Sequence, residues 1–195
     1  MLKNPQDRRA LRTTAQIKET LFELMEHKEI HQISVAEICK MCQINRATFY
    51  DHYRDIFDLA QDLETDVLLD IQALMERVTQ EQNKAETVSN QFFGFLTAHR
   101  QRLLRLLRNE RSTDFCLRLD ALLMPFFEKR VRQGYTIPPG MDEELHRILQ
   151  FASAGYYRFF FRVLEEERLD LSAEAALCAK LSDACLSLYF EPKNL

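Results

Sequence analysis

The sequence predicts an all-α protein. Its 195 residues include only four glycines and five prolines, and 46% of the chain is apolar. Apolar residues recur at spacings of three and four along most of the chain, which is the spacing of an amphipathic helix. Runs of β-branched residues that would indicate strands are missing. The length allows one large domain or one small and one medium domain.

The first helix is predicted to follow a short disordered arm at residues 1–7 and to reach about Lys28. Its apolar positions are Leu11, Ile17, Leu21, Leu24 and Met25. The segment 28–33 (KEIHQI) then turns the chain.

Residues 34–53 (SVAEICKMCQINRATFYDHY) predict two short helices joined by a tight turn. Ser34 is a predicted N-cap, and Glu37, three residues later, completes a capping box. The turn falls at Gln43 and Ile44, with Ile44 as the buried plug, and Asn45 caps the second helix. The inward positions of the first helix are Val35, Ile38 and Cys42.

The second short helix has an apolar side and a polar side. Phe49 and Tyr53 point into the core at i, i+4. The outward positions are therefore Arg46, Thr48, Tyr50 and His52. The small side chain of Ala47 adds little bulk to the edge of the helix that leads into the groove. This is the layout of a helix-turn-helix, whose second helix enters the DNA major groove.

The first 65 residues resemble the TetR family of transcriptional regulators. The matching residues are the segment 48–53 (TFYDHY), followed by Asp55, Phe57 and Leu59, with Ile38 and Ile44 as internal anchors. The resemblance implies a three-helix DNA-binding domain at 1–56 and a helical regulatory and dimerisation domain at 57–195. A three-helix core fragment of an unrelated all-α protein is the alternative.

The resemblance also implies roles for individual residues. We expect Arg46 and Thr48 to read base edges, with Arg46 on a guanine. Tyr50, His52 and Arg54 are expected to contact phosphates. Further candidates are Gln43 and Asn45 at the turn, Lys40, and the basic cluster at Arg8, Arg9 and Arg12. For Asn45 a purely capping role stays open, and a solvated helix start is equally open for the basic cluster.

Three positions depart from the family pattern or fit DNA poorly. The family usually has a glycine where this chain has Glu29, and commonly a lysine phosphate contact where it has Ile56. Arg54 or Lys40 is expected to substitute for that contact. Asp51, on the outer side of the second helix, is expected to face solvent. These departures leave open a TetR-like adaptor that acts through a protein partner.

The rest of the chain predicts six further helices. Their expected ranges are 55–80, 86–98, 100–108, 112–133, 142–166 and 172–189, with a kink near His99 and a bend at Pro125. The last two carry apolar or small residues on more than one face. In the TetR family the last two helices pair with a second subunit, which implies a homodimer. A larger monomeric core is the alternative. Candidate interface residues are Phe159, Phe161, Ala176, Ala179 and Leu188.

TetR-like regulators usually release DNA when a small molecule binds the C-terminal domain. The resemblance therefore implies a possible effector, and the aromatic supply offers candidate contacts at Phe92, Phe115, Phe126, Phe151 and Tyr156. A purely structural role in the core is the more common one for such residues. The ligand stays unnamed, and repression is expected although activation is open.

The charge distribution and the cysteine pattern bear on which other classes of protein the sequence fits. The net charge is −4, but residues 1–54 carry nine basic and seven acidic residues, so the acidity belongs to the C-terminal part. Cys39 and Cys42 form a C-x-x-C without a second pair, which favours buried small residues over zinc or redox chemistry. His99 and His146 lack metal spacing. We expect no cofactor, no metal, no enzyme motif, no membrane span and a cytoplasmic location.

Overall fold

The computed structural model describes residues 5–80, 85–108, 112–166 and 170–193, and the all-α prediction is confirmed. Nine helices and two two-residue strands make up this part of the chain. The helices are α1 (Pro5–Leu24), α2 (Val35–Cys42), α3 (Arg46–Tyr50), α4 (Ile56–Gln80), α5 (Ala85–Ala98), α6 (Arg100–Arg108), α7 (Ser112–Gly134), α8 (Asp142–Glu165) and α9 (Leu171–Ser187). The strands are β1 (Tyr135–Thr136) and β2 (Glu191–Pro192).

Helix α1 begins earlier and ends earlier than the pattern predicts. It is already helical at Pro5, the first residue that the structure describes, inside the predicted arm. It ends at Leu24 rather than Lys28, since the N–H groups of Glu26 and His27 donate to carbonyls three residues back, which tightens the last turn. Leu11 was assigned to the apolar face but is 53% exposed.

A 3₁₀ turn at Ile30–Gln32 connects α1 to α2. The backbone N–H of Glu29 donates to the Gln32 side chain at 3.2 Å, which closes the turn where the family pattern has glycine. Ile30 is 1% exposed and holds the turn against the core.

Helix α4 lies between α1 on one side and α7 on the other. The side chain of Asp55 accepts from the Asp58 N–H at 2.8 Å, so the helix begins at Ile56 with Asp55 as its cap. It is helical as far as Gln80, the last residue that the structure describes before residue 85. Buried residues on α4 belong to one apolar cluster that runs from Ile17 in α1 to Leu123 in α7 and Leu164 in α8. The core is therefore continuous across position 56.

The remaining helices match the predicted order closely. His99 separates α5 from α6, and α7 continues through Pro125. Helix α9 stops at Ser187, two residues before the predicted Tyr189, where the N–H groups of Tyr189 and Phe190 both donate to the Leu186 carbonyl. Helix α5 packs on α9, and α7 packs on α8 and α6.

The two short strands are absent from the sequence prediction. Tyr135 pairs with Pro192, and Thr136 with Glu191, in antiparallel register. This ladder ties the end of the chain to the end of α7, and Phe190 is buried beside it. Two-residue strands are too short to show an alternating pattern, so periodicity could not reveal them.

Candidate DNA-binding surface

Local hydrogen bonds fix the start of α2 and of α3. The Ser34 hydroxyl accepts from the Glu37 N–H at 3.2 Å, and the Asn45 side chain accepts from the Thr48 N–H at 2.7 Å. Each cap satisfies a backbone donor that the first helical turn leaves free. The Glu37 carboxylate contacts Lys28 Nζ at 2.6 Å, so it links α2 to the end of α1.

The turn between the two helices depends on a left-handed residue. Gln43 has φ 53°, and its N–H and that of Ile44 both reach the Cys39 carbonyl. This is the common way to end a helix, although glycine usually takes the position. Ile44 is half-buried against the core, so it plugs the turn less completely than predicted.

The two cysteines of the C-x-x-C are packing residues on the inner side of α2. Both are buried free thiols. Cys42 Sγ lies 3.1 Å from the Thr20 hydroxyl, and the Gln16 amide donates to the Cys42 carbonyl at 3.1 Å. Burial raises the pKa of both thiols, which keeps them protonated and unreactive at neutral pH.

The outer surface of α3 is open and basic. Arg46 and Ala47 are exposed, and Tyr50 is 55% exposed with its ring edge-on to Phe49. Phe49 is fully buried and anchors the helix from behind. Other exposed candidates are Lys40, Gln43, Asn45 and, on α1, Arg8, Arg9 and Arg12. Thr48 is half-buried.

Two candidate phosphate contacts already have partners inside the protein. His52 is half-buried, and its Nδ1 lies 3.3 Å from the Thr14 hydroxyl on α1. Arg54 is exposed, but its guanidinium lies 3.1 Å from Asp58. Hydrogen bonding to Asp58 raises the pKa of Arg54, and the same contact lowers the pKa of the carboxyl. Contact with a phosphate would therefore compete with this pair.

The positions that depart from the family pattern have clear structural roles. Ile56 is buried and cannot reach a phosphate, whereas Asp51 is exposed. Met41, which the sequence analysis did not single out, is 45% exposed on α2.

A cavity of about 130 Å³ lies among α4, α5, α7, α8 and α9. Three of the predicted ligand residues, Phe92, Phe126 and Tyr156, line it. Phe115 does not, because it is fully buried in the main core, and Phe151 does not, because it is 84% exposed on α8. Phe93 and Phe127, which belong to the same aromatic set in the sequence, also line it. The sequence analysis did not connect the remaining lining residues with a ligand: Phe160, Arg130, Met75, Val78, Cys178 and Ser182.

A larger and more open cleft of about 380 Å³ lies where α1 meets α4 and α6. Lys18 crosses it and pairs with Asp62 at 2.8 Å and with Asp66 at 2.7 Å. Burial alone would lower the pKa of Lys18, but its two carboxylate contacts together outweigh burial and raise it. Arg102 on α6 reaches Asp66 at 3.5 Å. These ion pairs connect α4 to α1 and to α6.

The outward faces of α8 and α9 carry apolar side chains. Leu188 is 79% exposed, and the unpredicted residues Leu177 and Leu181 are 45% and 49% exposed. Phe159, Phe161, Ala176 and Ala179, the other candidate interface residues, are half-buried within the subunit. The spacing 177, 181, 188 was visible in the sequence as a single helical stripe.

Among the described residues, no group of three histidine, cysteine, aspartate or glutamate side chains could hold a metal ion. No helix among them has the length and apolar character needed to cross a membrane.

Solved structures with the same arrangement of helices cover nearly the whole chain. A TetR transcriptional regulator from Streptococcus agalactiae covers 95% of this chain and 98% of its own, with a TM-score of 0.69 and 18% identity. The fold is that of TetR-type regulators. The regulator FadR from Bacillus subtilis, in complex with stearoyl-CoA, covers 86% of this chain and 96% of its own, with a TM-score of 0.62 and 17% identity.

A third TetR-like structure is the dihydroxyacetone kinase operon activator DhaS. It covers 92% of this chain and 98% of its own, with a TM-score of 0.63 and 16% identity. No protein-family model and no curated protein sequence matches the chain. The likeness to these solved structures is therefore one of fold.

Proposed function

We propose that this protein is a sequence-specific DNA-binding transcriptional regulator and not an enzyme. It binds a near-palindromic operator as a homodimer, acts as a repressor in the cytoplasm, and is released by a small-molecule effector. Residues 1–56 form the DNA-binding domain, and residues 57–195 form the regulatory and dimerisation domain. The observation that carries the proposal is the capped helix-turn-helix with Arg46 and Tyr50 exposed on its outer surface.

The charge of this surface supports contact with DNA. Arg46, Lys40, Arg8, Arg9 and Arg12 are exposed, and in the described part of the chain none of them forms a salt bridge. Contacts between such side chains and DNA phosphates release counterions, and this release increases the affinity of a protein for DNA. Arg46, at the start of α3, is suited to bidentate contact with a guanine edge.

The structural relatives support the regulatory part of the proposal. FadR from Bacillus subtilis holds stearoyl-CoA, which makes a small-molecule effector a reasonable expectation for this chain. DhaS is described as an operon activator, so activation by the same DNA contacts is the variant of this proposal to be tested.

A second candidate function is a TetR-like adaptor that acts through a protein partner. Two observations favour it. Ile56 is buried where the family commonly places a phosphate-binding lysine, and Asp51 presents a negative charge beside the proposed contact surface. An adaptor of this kind would not bind an operator, so its function would not depend on Tyr50.

The proposal is tested by binding of the purified protein to DNA from upstream of its own gene. Two salt concentrations and unrelated competitor DNA separate specific from nonspecific binding. We expect binding that resists the competitor, weakens with salt and is lost in Tyr50→Ala. Equal affinity for both DNAs in low and high salt, with no effect of Tyr50→Ala, would favour the adaptor.

A further inference from the structure

The cavity among α4, α5, α7, α8 and α9 is enclosed mainly by rings. Phe92 and Phe93 approach from α5, and Phe126 and Phe127 from α7. Phe160 from α8 joins the rings together, since its centroid lies 5.0 Å from that of Phe92 and 5.6 Å from that of Phe93. Aromatic walls offer edge-to-face and offset-stacked contacts to a planar ring.

The volume sets the size of the occupant. The cavity measures about 130 Å³. An apolar protein cavity of roughly 150 Å³ is enough to hold benzene. The size of this partly open space is therefore closer to that of a single six-membered ring than to that of a long acyl chain such as a stearoyl group.

The polar groups of the cavity differ in what they can offer a ligand. Ser182 Oγ donates to the Cys178 carbonyl at 2.8 Å, so the Tyr156 hydroxyl is the donor in its contact with Ser182 Oγ. Both hydroxyl hydrogens are thereby used within the protein. Burial raises the pKa of the Tyr156 hydroxyl, and that of the Cys178 thiol to about 11, so both groups are neutral at pH 7.

Arg130 is the one charged residue among the described residues that line this cavity. Its side chain borders the space from α7, one helical turn beyond Phe126 and Phe127. A guanidinium offers only hydrogen-bond donors and matches a carboxylate in shape and charge. Among the cavity-lining side chains it is the one whose chemistry selects for an anion.

We propose that this cavity binds a monocyclic aromatic carboxylate, with the ring among the phenylalanines and the carboxylate on Arg130. The proposal rests on the proposed function in that it names the chemical class of the effector. It predicts that this cavity prefers a monocyclic aromatic acid to a long-chain acyl compound.

The test is isothermal titration calorimetry of the full chain without DNA. The probes are the monocyclic acids benzoate, salicylate and phenylacetate, the neutral isostere benzamide, and decanoate as a longer-chain acid. We expect at least one monocyclic acid to bind at least tenfold more tightly than both benzamide and decanoate. If all three acids have a Kd above about 1 mM, or if decanoate binds more tightly than each of them, the proposal is wrong.

Two variants on α7 assign the charge selection to one residue. Arg130→Gln is expected to weaken binding of the acid about tenfold and leave benzamide unchanged. The matched control is Arg132→Gln, because Arg132 pairs with Glu128 and Asp142 outside the cavity and should not affect either probe. Equal loss in both variants would contradict the role of Arg130. Should Arg130→Gln fail to fold, the comparison of the probes on the unaltered protein decides alone.

The outcome is separable from that of the proposed function. Calorimetry without DNA reports the cavity alone. A protein that binds operator DNA but no aromatic acid would retain its proposed function and lose this ligand class. A protein that binds the acid but no DNA would retain this ligand class and lose its proposed function.

Discussion

Two short polar side chains determine where α2 and α3 begin. Ser34 and Asn45 each accept a backbone N–H three residues ahead, and both contacts were predictable because they depend only on local sequence. Gln43 was predictable as a turn residue, but its left-handed backbone was not, since glycine or asparagine usually takes that conformation. His52 shows the limit of local reasoning, because its partner Thr14 lies on another helix.

Asn45 has a capping role that can be separated from its candidate DNA contact. Asn45→Ala should lower the free energy of unfolding by about 1 kcal/mol, since the Thr48 N–H loses its acceptor. Chemical denaturation measures this. Asn45→Asp keeps the cap and should leave stability nearly unchanged, while its negative charge weakens DNA binding. Full DNA affinity in Asn45→Asp would place Asn45 away from the phosphates.

Arg46 is the residue on which base reading is expected to depend most. Arg46→Ala should cost about 1–3 kcal/mol of operator binding and relax specificity at one base pair. Arg54→Ala is the comparison, because loss of a phosphate contact should weaken binding to all sequences equally and reduce the salt dependence. Both effects are measured by titrating operator variants. An unchanged sequence preference in Arg46→Ala would remove this residue from base recognition.

At the scale of helices, the periodic pattern predicted each helix in its correct place, and the misses lie at the ends. Helix α1 ends before Lys28, and α9 ends before Tyr189, because backbone N–H groups at each end donate to carbonyls three residues back and tighten the last turn. Leu11 fits the helical period but is exposed, since it lies at the open cleft between α1 and α6. Whether such a residue is buried depends on how distant helices pack around it, and a single sequence does not reveal that packing.

The ion pairs of Lys18 hold α1 against α4. The Lys18 side chain is only 14% exposed, while its two aspartate partners are nearly 40% exposed. Lys18→Met should therefore destabilise the protein by an amount between the roughly 0.2–1 kcal/mol of an exposed pair and the roughly 3–5 kcal/mol of breaking a buried one. Chemical denaturation provides the measurement.

The control for Lys18 is an ion pair that lies in solvent. Arg147 and Glu143 are both largely exposed on α8, so Arg147→Met should change stability by less than about 0.5 kcal/mol. If Lys18→Met proves no more destabilising than Arg147→Met, the contact between α1 and α4 does not depend on these ion pairs.

At the scale of the whole molecule, the core joins the helix-turn-helix to the helical body. Buried residues from Ile17 to Leu164 form one cluster, so a displacement of α4 or α6 would reach α1 through packed side chains. The sequence predicted the helices on both sides of position 56. It could not predict this continuity, because contacts between helices distant in sequence leave no periodic signal. The same applies to the cavity, because the sequence offered aromatic candidates but did not show which of them meet in one space.

The proposed dimer depends on the exposed apolar stripe of α9. Leu181→Glu should convert the dimer to a monomer, because it places a charge in an interface that excludes water. Sedimentation velocity measures the change. Leu117→Glu is the control, since Leu117 is 65% exposed on α7 and should leave the dimer intact. A dimer that persists in Leu181→Glu would exclude this stripe as the interface.

The most direct test of the central claim is selection of duplex DNA from a random pool by the purified protein. A dimer with two copies of α3 should enrich an inverted repeat whose half-site centres lie about 34 Å apart, or a multiple of that distance. The enriched site should lose affinity in Arg46→Ala. A pool that remains random after repeated selection, or an enriched site that Arg46→Ala and Tyr50→Ala bind as tightly as the unaltered protein does, would contradict DNA recognition by this helix-turn-helix.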